Sequence, residues 1–345
     1  MPYKVDIDNF SQDDWERYAG EFADYSIYQT WSYQQTRAEK DNQQVNCVVI
    51  KDENGEVATM GHIRIRTIKA IGLKVGYIQW GPLVRAADGT SKCHVEALKA
   101  LRSYYVGPKV NVLRIVPNVC GDETGQKLSE MLVSSGFQPT RSVRPYHTML
   151  FPLNITEDQI RSRFHRKWRS SLRRAERNNI EIKEGTDEEY FKVLDRLYMS
   201  AQKQKGFKGL DMQLFIRTQQ MLPPRQKMNV VLAYYNGQPL TADVTSYLGD
   251  TAVGIFQASS KEGLRLGASY LVWWKALLSA KRAGMKRYDL GGVDPKNNPN
   301  VFEFKSRMGA HEIFHIGAFE ACAGSRTKAV WTISEKVYNL VKGKF

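Results

Sequence analysis

Hydrophobic and polar positions in the first half of the chain alternate between the period of an amphipathic helix and that of a strand. A β-branched run at 45–50 is followed by the turn Glu53-Asn54-Gly55-Glu56 and by a second apolar run at 63–68. Because this turn composition favours a tight reversal between two strands, we predict a β-hairpin. The pattern also predicts helices at 13–23, 31–41, 92–105 and 125–135, and strands at 77–79 and 111–116.

The second half of the chain repeats this order of elements. A predicted strand at 229–235 runs into Asn236-Gly237, a residue pair typical of a two-residue hairpin turn. The other predicted elements are helices at 157–179, 188–205, 268–283 and 327–341, and strands at 239–248, 253–258, 287–290 and 313–319.

Each half thus contains helices, a β-meander, a helix and a strand, which predicts a duplicated α/β unit with mixed sheets flanked by helices. We place the boundary near 151–155, which gives two domains, 1–152 and 153–345. No heptad pattern is sustained, so we expect no coiled-coil arm.

The composition is that of a soluble globular protein, with 42% hydrophobic and 25% charged residues among 345. No apolar run approaches the roughly 18 residues that span a bilayer, and the acidic N-terminus does not resemble a signal peptide. The four cysteines form no CxxC pair, which argues against a zinc site and a disulfide framework. We therefore expect a cytoplasmic protein with reduced thiols.

The formal net charge of +14 is distributed unevenly. Residues 1–150 are nearly neutral, whereas the segment 161–177 alone contains eight basic residues and one acid. Phe164, Trp168 and Leu172 recur every four residues within it, which predicts a helix with one apolar stripe. The basic flank is either a solvated helix face or an anion-binding face, and the shortage of acids favours the second interpretation. The candidate anion-binding residues are Arg163, Arg166, Lys167, Arg173, Arg174 and Arg177.

Common catalytic motifs are absent from the sequence. GxSxG, Walker A and GxGxxG patterns do not occur, which argues against covalent hydrolase and kinase chemistry. His311 and His315 are four residues apart, but on a predicted strand that spacing separates them by about 13 Å, so no metal site is expected.

Two segments concentrate residues that could carry chemistry. In Tyr288–Gly309, a strand ends in two glycines and a polar loop follows, with Asp289, Asp294, Lys305 and Arg307 close together in sequence. This segment is either a ligand site or an ordinary strand end with a polar loop. In 254–274, a strand passes through a turn rich in Gly and Ser into an apolar helix, whose N-terminus could hold an anion.

Together these segments resemble the FemABX family of peptidoglycan interpeptide-bridge aminoacyltransferases. The similarity covers nearly the full chain, with two departures: Thr36-Arg37 stands where a lysine is usual, and Lys205 replaces an arginine. The matching motifs are Tyr288-Asp289-Leu290-Gly291-Gly292, Phe304-Lys305, Gly309, 316–320, 256–259, the helix 268–280, the basic segment, 203–207, Gln29-Thr30-Trp31 and Trp80-Gly81-Pro82.

The resemblance implies two tandem domains of the acetyltransferase (GNAT) type, with an acceptor-binding first domain and a catalytic, donor-binding second domain. It implies attack of an amine on the ester of an aminoacyl-tRNA, with a UDP- or lipid-linked muropeptide as acceptor and no further cofactor. Lys305 would stabilise the oxyanion, Phe304 would shape the pocket, and Asp289 or Asp294 would hold or deprotonate the amine. The expected substrate-binding residues are Trp31, Arg37, Tyr198, Lys205, Phe256, Ser259 and Arg307.

Alternatives remain at this point. The chain could be an acyl-CoA-dependent N-acyltransferase of envelope or polysaccharide biosynthesis, with a pyrophosphate on the turn 259–267, or a non-catalytic tRNA-binding protein. The terminal helix, with Val330, Ile333, Val337 and Val341 on one side, could lie on the inner, anionic face of the membrane or pack on its own domain. We expect a monomer.

Overall fold

The computed structural model describes residues 3–85, 93–205 and 211–341. Its strands in chain order are β1 (Lys4–Ile7), β2 (Gln44–Lys51), β3 (Val57–Ile68), β4 (Leu73–Gln79), β5 (Val112–Val116), β6 (Gln138–Thr140), β7 (His147–Pro152), β8 (Glu181–Gly185), β9 (Asn229–Tyr235), β10 (Gln238–Leu248), β11 (Thr251–Ser259), β12 (Arg287–Asp289), β13 (His311–Phe314) and β14 (Ala318–Cys322).

The helices alternate with these strands along the chain. They are α1 (Gln12–Ala19), α2 (Trp31–Asp41), α3 (Val95–Tyr105), α4 (Glu123–Ser134), α5 (Glu157–Arg163), α6 (Arg166–Arg177), α7 (Glu188–Lys205), α8 (Met212–Met221), α9 (Lys261–Leu266), α10 (Ala268–Arg282), α11 (Pro299–Ser306) and α12 (Ser325–Val341).

The chain forms two compact units, one of residues 1–146 with 314–345 and one of residues 147–313. Each unit contains a seven-stranded mixed sheet flanked by helices, and the longest described helix has 18 residues. The predicted fold class of two tandem α/β units is confirmed, and the described residues contain no coiled-coil arm. None of the four cysteines forms a disulfide bond.

The sheet of the first unit has the strand order β1-β2-β3-β4-β5-β14-β6. The predicted hairpin is present as β2 and β3, with Asp52 accepting hydrogen bonds from the turn amides of Asn54 and Glu56 at 2.9 Å each. α3 and α4 cover one face of this sheet, where Leu101 and Leu132 pack into a core with strand residues such as Ile115.

The C-terminal segment returns to the first unit. β14 lies between β5 and β6 and pairs antiparallel with both, while Trp331 of α12 packs on Leu73 and Val112 on the other face of the sheet. The structure thus groups residues differently from the predicted domains 1–152 and 153–345. The order of elements along the chain does not specify which sheet a strand joins, so the sequence pattern could not reveal this return.

The predicted strand at 313–319 is wrong because the chain changes sheets there. β13 belongs to the second sheet and β14 to the first, with Gly317 in a left-handed conformation (φ 86°) between them. His311 lies in β13 and His315 lies after it, so the two histidines do not share one strand.

The sheet of the second unit has the order β13-β7-β12-β11-β10-β9-β8. β9, β10 and β11 form the predicted meander, and β12 adds parallel to β11. The largely buried helix α10 and the apolar stripe of α6 pack together in one core, which includes Trp168, Leu172, Trp273 and Leu277. This packing turns the charged flank of α6 towards solvent.

The predicted single helix at 157–179 is wrong, because the chain breaks it into α5 and α6. Phe164 adopts an extended conformation, and the His165 amide donates to the Arg307 carbonyl at 2.8 Å. Gly309 fits this junction because a Cβ there would lie 2.4 Å from the Arg163 carbonyl oxygen. The break therefore lets the turn after α11 pack against the start of α6.

Candidate functional site

At the end of β12, the backbone at Gly291 comes close to the backbone of β11. Gly291 has φ +79°, and a Cβ on it would lie 3.0 Å from the Gly254 carbonyl oxygen of β11 and 3.5 Å from Lys305 Nζ. Glycine is thus required here both by backbone conformation and by space. The two-glycine motif brings the carbonyl groups of Gly291 and Gly292 to the side chain of Lys305.

Lys305 lies on the last turn of α11 and is only 9% exposed. Its ammonium group donates to the carbonyl oxygens of Gly291 at 2.9 Å and Gly292 at 3.1 Å. Burial lowers the pKa of Lys305 to about 8, although the nearby carboxylates of Asp289 and Asp243 oppose that shift. An ammonium group has three donors, so one remains for a ligand once both carbonyls are bound.

Asp289 holds the turn that carries these carbonyls. Its buried carboxylate accepts hydrogen bonds from the Thr148 hydroxyl and from the Gly291 amide, the latter at 2.8 Å. The Asp289 carboxylate thus holds the backbone of Gly291, whose carbonyl oxygen in turn accepts from Lys305. Asp294 has a similar local role, because it accepts from the amides of Lys296 at 3.1 Å and Asn297 at 3.0 Å.

Asp243 is a second buried acid of this region, which the sequence analysis missed. It lies on β10 and accepts from the hydroxyls of Thr245 at 2.9 Å and Tyr288 at 3.3 Å. Burial raises its pKa to about 7, while Lys305 favours the ionised form. An aspartate between Ala242 and Val244 in the middle of a strand was the available signal.

Phe304 lines an open pocket of about 440 Å³. Its ring lies 5.0 Å from that of Tyr270 and 5.9 Å from that of Trp168, so aromatic groups form the wall. Arg307 lines the same pocket and is paired with Glu303. The lining residues are Lys167, Trp168, Ser170, Ser171, Tyr270, Asn300, Glu303, Phe304 and Arg307.

The basic flank of the 161–177 segment is exposed as predicted, while Phe164, Trp168, Leu172 and Ala175 are buried. Arg161 pairs with Glu176, the one acid of the segment, and Arg169 donates to backbone carbonyls. In the described part of the chain, the remaining basic side chains have no carboxylate within ion-pair distance. These are Arg163, Arg166, Lys167, Arg173, Arg174 and Arg177.

The turn 259–267 is organised by its own contacts. Ser259 bonds to the hydroxyls of Thr241 at 3.1 Å and Ser269 at 2.9 Å, and Ser260 caps the short helix α9. A Cβ at Gly263 would lie 2.4 Å from the Leu240 carbonyl, so close packing accounts for this glycine.

The predicted substrate contacts Tyr198 and Phe256 lie together, but both are buried. Their rings are 5.3 Å apart, and Phe215 packs on Phe256 at 4.9 Å. They contribute an aromatic cluster between α7 and β11. The side chain of Lys205 and residues 206–210 lie outside the residues that the structure describes.

The first unit contains a buried arginine that the sequence analysis also missed. Arg64 on β3 is 6% exposed and donates to the Gln79 side chain at 2.9 Å, but its Nε and Nη1 atoms have no hydrogen-bond partner among the described residues. Burial and the charge of Arg37 both lower its pKa. A buried cation that is not paired with a carboxylate is costly, which makes this position a candidate anion site.

The two residues predicted in this unit lie in α2. Arg37 is half-buried and pairs with Asp41 at 2.7 Å, and Trp31 opens the helix with its ring 6.0 Å from His62. α2 contacts β3, and the positive charge of Arg37 contributes to the lowered pKa of Arg64.

Comparison with known proteins gives partial sequence matches and a close structural match. Two lipid II:glycine glycyltransferases, from two strains of Staphylococcus epidermidis, are 26% identical over 174 residues, which is 47% of this chain and 40% of each relative. The chain thus spans well under half the length of these relatives. A crystal structure of FemX has a TM-score of 0.81 at 15% identity, covering 96% of this chain and 100% of FemX.

A second solved structure, a conserved protein of unknown function from Bacteroides thetaiotaomicron, has a TM-score of 0.61 at 10% identity and covers 92% of this chain and 99% of that protein. At these identities the structural likenesses establish the fold alone. The family itself is established by sequence, because the FemAB family model matches residues 10–238 and 225–327. The chain belongs to the FemAB family.

Proposed function

We propose that this protein is an aminoacyltransferase that moves an amino acid from an aminoacyl-tRNA to an amine of a lipid-linked or UDP-linked peptidoglycan precursor. The FemAB family assignment and the similarity to lipid II:glycine glycyltransferases support this substrate class. The observation that carries the proposal is the buried ammonium group of Lys305, which keeps a donor for a substrate oxygen.

The reaction needs no protein nucleophile. The neutral acceptor amine attacks the ester carbonyl carbon, a C–N bond forms, and the C–O bond to the tRNA ribose breaks. The amine gives up a proton, and the ribose oxygen leaves as a hydroxyl group after taking up a proton. An ester is already an activated acyl group, so alignment of the two substrates and stabilisation of the oxyanion supply the catalysis.

We assign the oxyanion to Lys305. The carbonyls of Gly291 and Gly292 fix the ammonium group, and burial strengthens its attraction to a developing negative charge. Asp243 and Asp289 favour the charged form of Lys305 electrostatically, so we assign both as positioning residues. Asp294 then shapes the loop before α11.

We place the donor on the exposed flank of α6. Six basic side chains without acidic partners form a surface that suits phosphate groups, and Lys167 continues this surface into the pocket lined by Phe304. The partly exposed rings of Tyr270 and Phe304 could stack a base of the tRNA end. Arg307 lies at the same pocket and would contact its phosphate.

We place an anionic group of the acceptor at Arg64, with Arg37 and Trp31 nearby. Both orphaned nitrogens of Arg64 are donors, and a phosphate or carboxylate would supply the missing acceptors. Because aminoacyl-tRNA is a cytoplasmic molecule, we propose a cytoplasmic reaction, at the inner membrane face when the acceptor is lipid-linked. No helix in the described residues is long and apolar enough to cross a membrane.

A donor competition experiment tests the proposal. The protein is incubated with a muropeptide acceptor and either a mixture of charged tRNAs or acetyl-CoA, and the acceptor mass is measured. We expect an increase of one amino-acid residue mass with charged tRNA and no change with acetyl-CoA. An acetyl increment would favour the acyl-CoA alternative, and tRNA binding without transfer to any muropeptide would favour a binding protein.

A further inference from the structure

α12 carries an exposed apolar stripe on the side opposite to its contact with the sheet. Trp331 is buried against Leu73 and Val112, which fixes the orientation of the helix. The opposite side presents Val330, Ile333, Val337 and Leu340, which are 43%, 63%, 54% and 63% exposed. Exposure of four large apolar side chains in one stripe to water is unfavourable, and such a patch marks an interaction surface.

The exposed charges that α12 itself contributes beside this stripe are basic. Glu335, the one acid of α12, turns inward, where it pairs with Arg114 and accepts from the Ser142 hydroxyl at 2.6 Å. The exposed charges of the helix are Arg326, Lys328 and Lys336.

Neighbouring segments add further positive charge beside the helix. The contact of Ser142 with Glu335 holds the loop of exposed Arg141 and Arg144 next to α12. Ile68 and Ile71 pack against the cluster that contains Trp331, and exposed Lys69 lies between them. No acid occurs in residues 141–146.

We propose that this face of the first unit, named here the α12 surface, docks on a bilayer that contains anionic lipids. In such a bilayer, the apolar side chains would enter the acyl-chain region. The Lys and Arg side chains that flank them would contact the anionic headgroups. A second copy of the chain fits less well, because two such surfaces would bring their cations together, and the stripe covers fewer than the three or four heptads of a coiled coil.

The α12 surface would hold the enzyme beside a lipid-linked acceptor. This role of the surface rests on the proposed function. The test of the inference needs neither acceptor nor donor, so it can fail while aminoacyl transfer is confirmed, and the reverse also holds.

Vesicle sedimentation of the full chain tests the inference. Vesicles of phosphatidylglycerol and phosphatidylcholine in equal parts are compared with vesicles of phosphatidylcholine alone. We expect binding to the anionic vesicles that weakens with salt, and little binding to the neutral ones.

Paired variants locate the contact. Ile333→Ser with Val337→Ser should lower the partition coefficient about tenfold or more, because two apolar side chains leave the acyl region. Lys336→Gln should lower it about fivefold. Val133→Ser is the matched control, since Val133 is 44% exposed on α4, which covers the other face of the sheet.

Three results would overturn the inference: no binding to anionic vesicles, equal binding by the double variant, or a dimer in solution that the double variant abolishes. Because all substituted residues are exposed, thermal unfolding should show that each variant remains folded.

Discussion

Lys305 Nζ donates to the carbonyl oxygen of Gly291 at 2.9 Å, across the end of a strand at which no side chain fits. The glycine supplies the acceptor and the space, and the lysine supplies a buried charge that the turn holds in place. A strand end, a turn and a helix that follow one another along the chain thus form one small site.

The Gly291→Ala variant should lose unfolding free energy for two reasons, namely the positive φ and the close approach of the Gly254 backbone. Alanine at positive φ costs about 1–2 kcal/mol, and here its Cβ would also press on the Gly254 carbonyl and approach Lys305 Nζ. We expect a larger loss of unfolding free energy than in Gly284→Ala, where φ is +81° but the surrounding space is open. Chemical denaturation measures both, and equal losses in the two variants would contradict the close approach.

The rate of transfer should show an alkaline limb near pH 8. Lys305 must be protonated to stabilise the oxyanion, and its pKa is lowered to about 8, so the active form is lost as pH rises through that value. Asp243 raises the pKa of Lys305, so Asp243→Asn should move the limb to lower pH. A pH–rate profile that is unchanged in this variant would show that Asp243 acts structurally only.

Arg64→Gln should raise KM for the acceptor about tenfold or more and leave KM for the donor unchanged, because it removes a charged donor to an acceptor anion. Arg66→Gln is the matched control, since Arg66 lies two residues along β3 and is exposed. Initial rates at varied acceptor and donor concentrations measure both constants. Equal KM values in the two variants would rule out an anion site at Arg64.

The double variant Arg173→Gln, Arg174→Gln should weaken tRNA binding and make it less salt-dependent. Each lost phosphate contact reduces the slope of log K against log salt by about 0.7 to 0.9, so we expect a total reduction of about 1.5. Arg225→Gln, an exposed arginine on another segment, should leave the slope unchanged. A slope that stays the same in the double variant would exclude this flank of α6 as the donor surface.

Some features of the fold were predictable from the sequence and others were not. The stripe of Phe164, Trp168 and Leu172 was predictable because burial on one side of a helix imposes its period directly. The break before α6 was not, since it depends on the Arg307 carbonyl and on Gly309, which are distant in sequence. Long-range contacts leave no local pattern.

The candidate site shows the same division. Lys305 and Phe304 were expected from a family resemblance, whereas Asp243 and Arg64 emerged from burial and hydrogen bonding. A polar residue in a strand can point to either face, and its partners come from other strands, so the sequence alone does not separate a solvated charge from a buried one. The placement of β14 in the first sheet is a further long-range choice of this kind.

The central claim is that the Lys305 ammonium group stabilises the oxyanion of aminoacyl transfer. Single-turnover rates with charged tRNA and a muropeptide acceptor, measured for the unchanged protein and for Lys305→Met, test it most directly. Lys296→Met controls for loss of one positive charge, since Lys296 is exposed in the loop before α11. We predict a rate about 10²–10³-fold lower for Lys305→Met, with tRNA affinity unchanged, whereas a rate within a few-fold of the unchanged protein would contradict the claim.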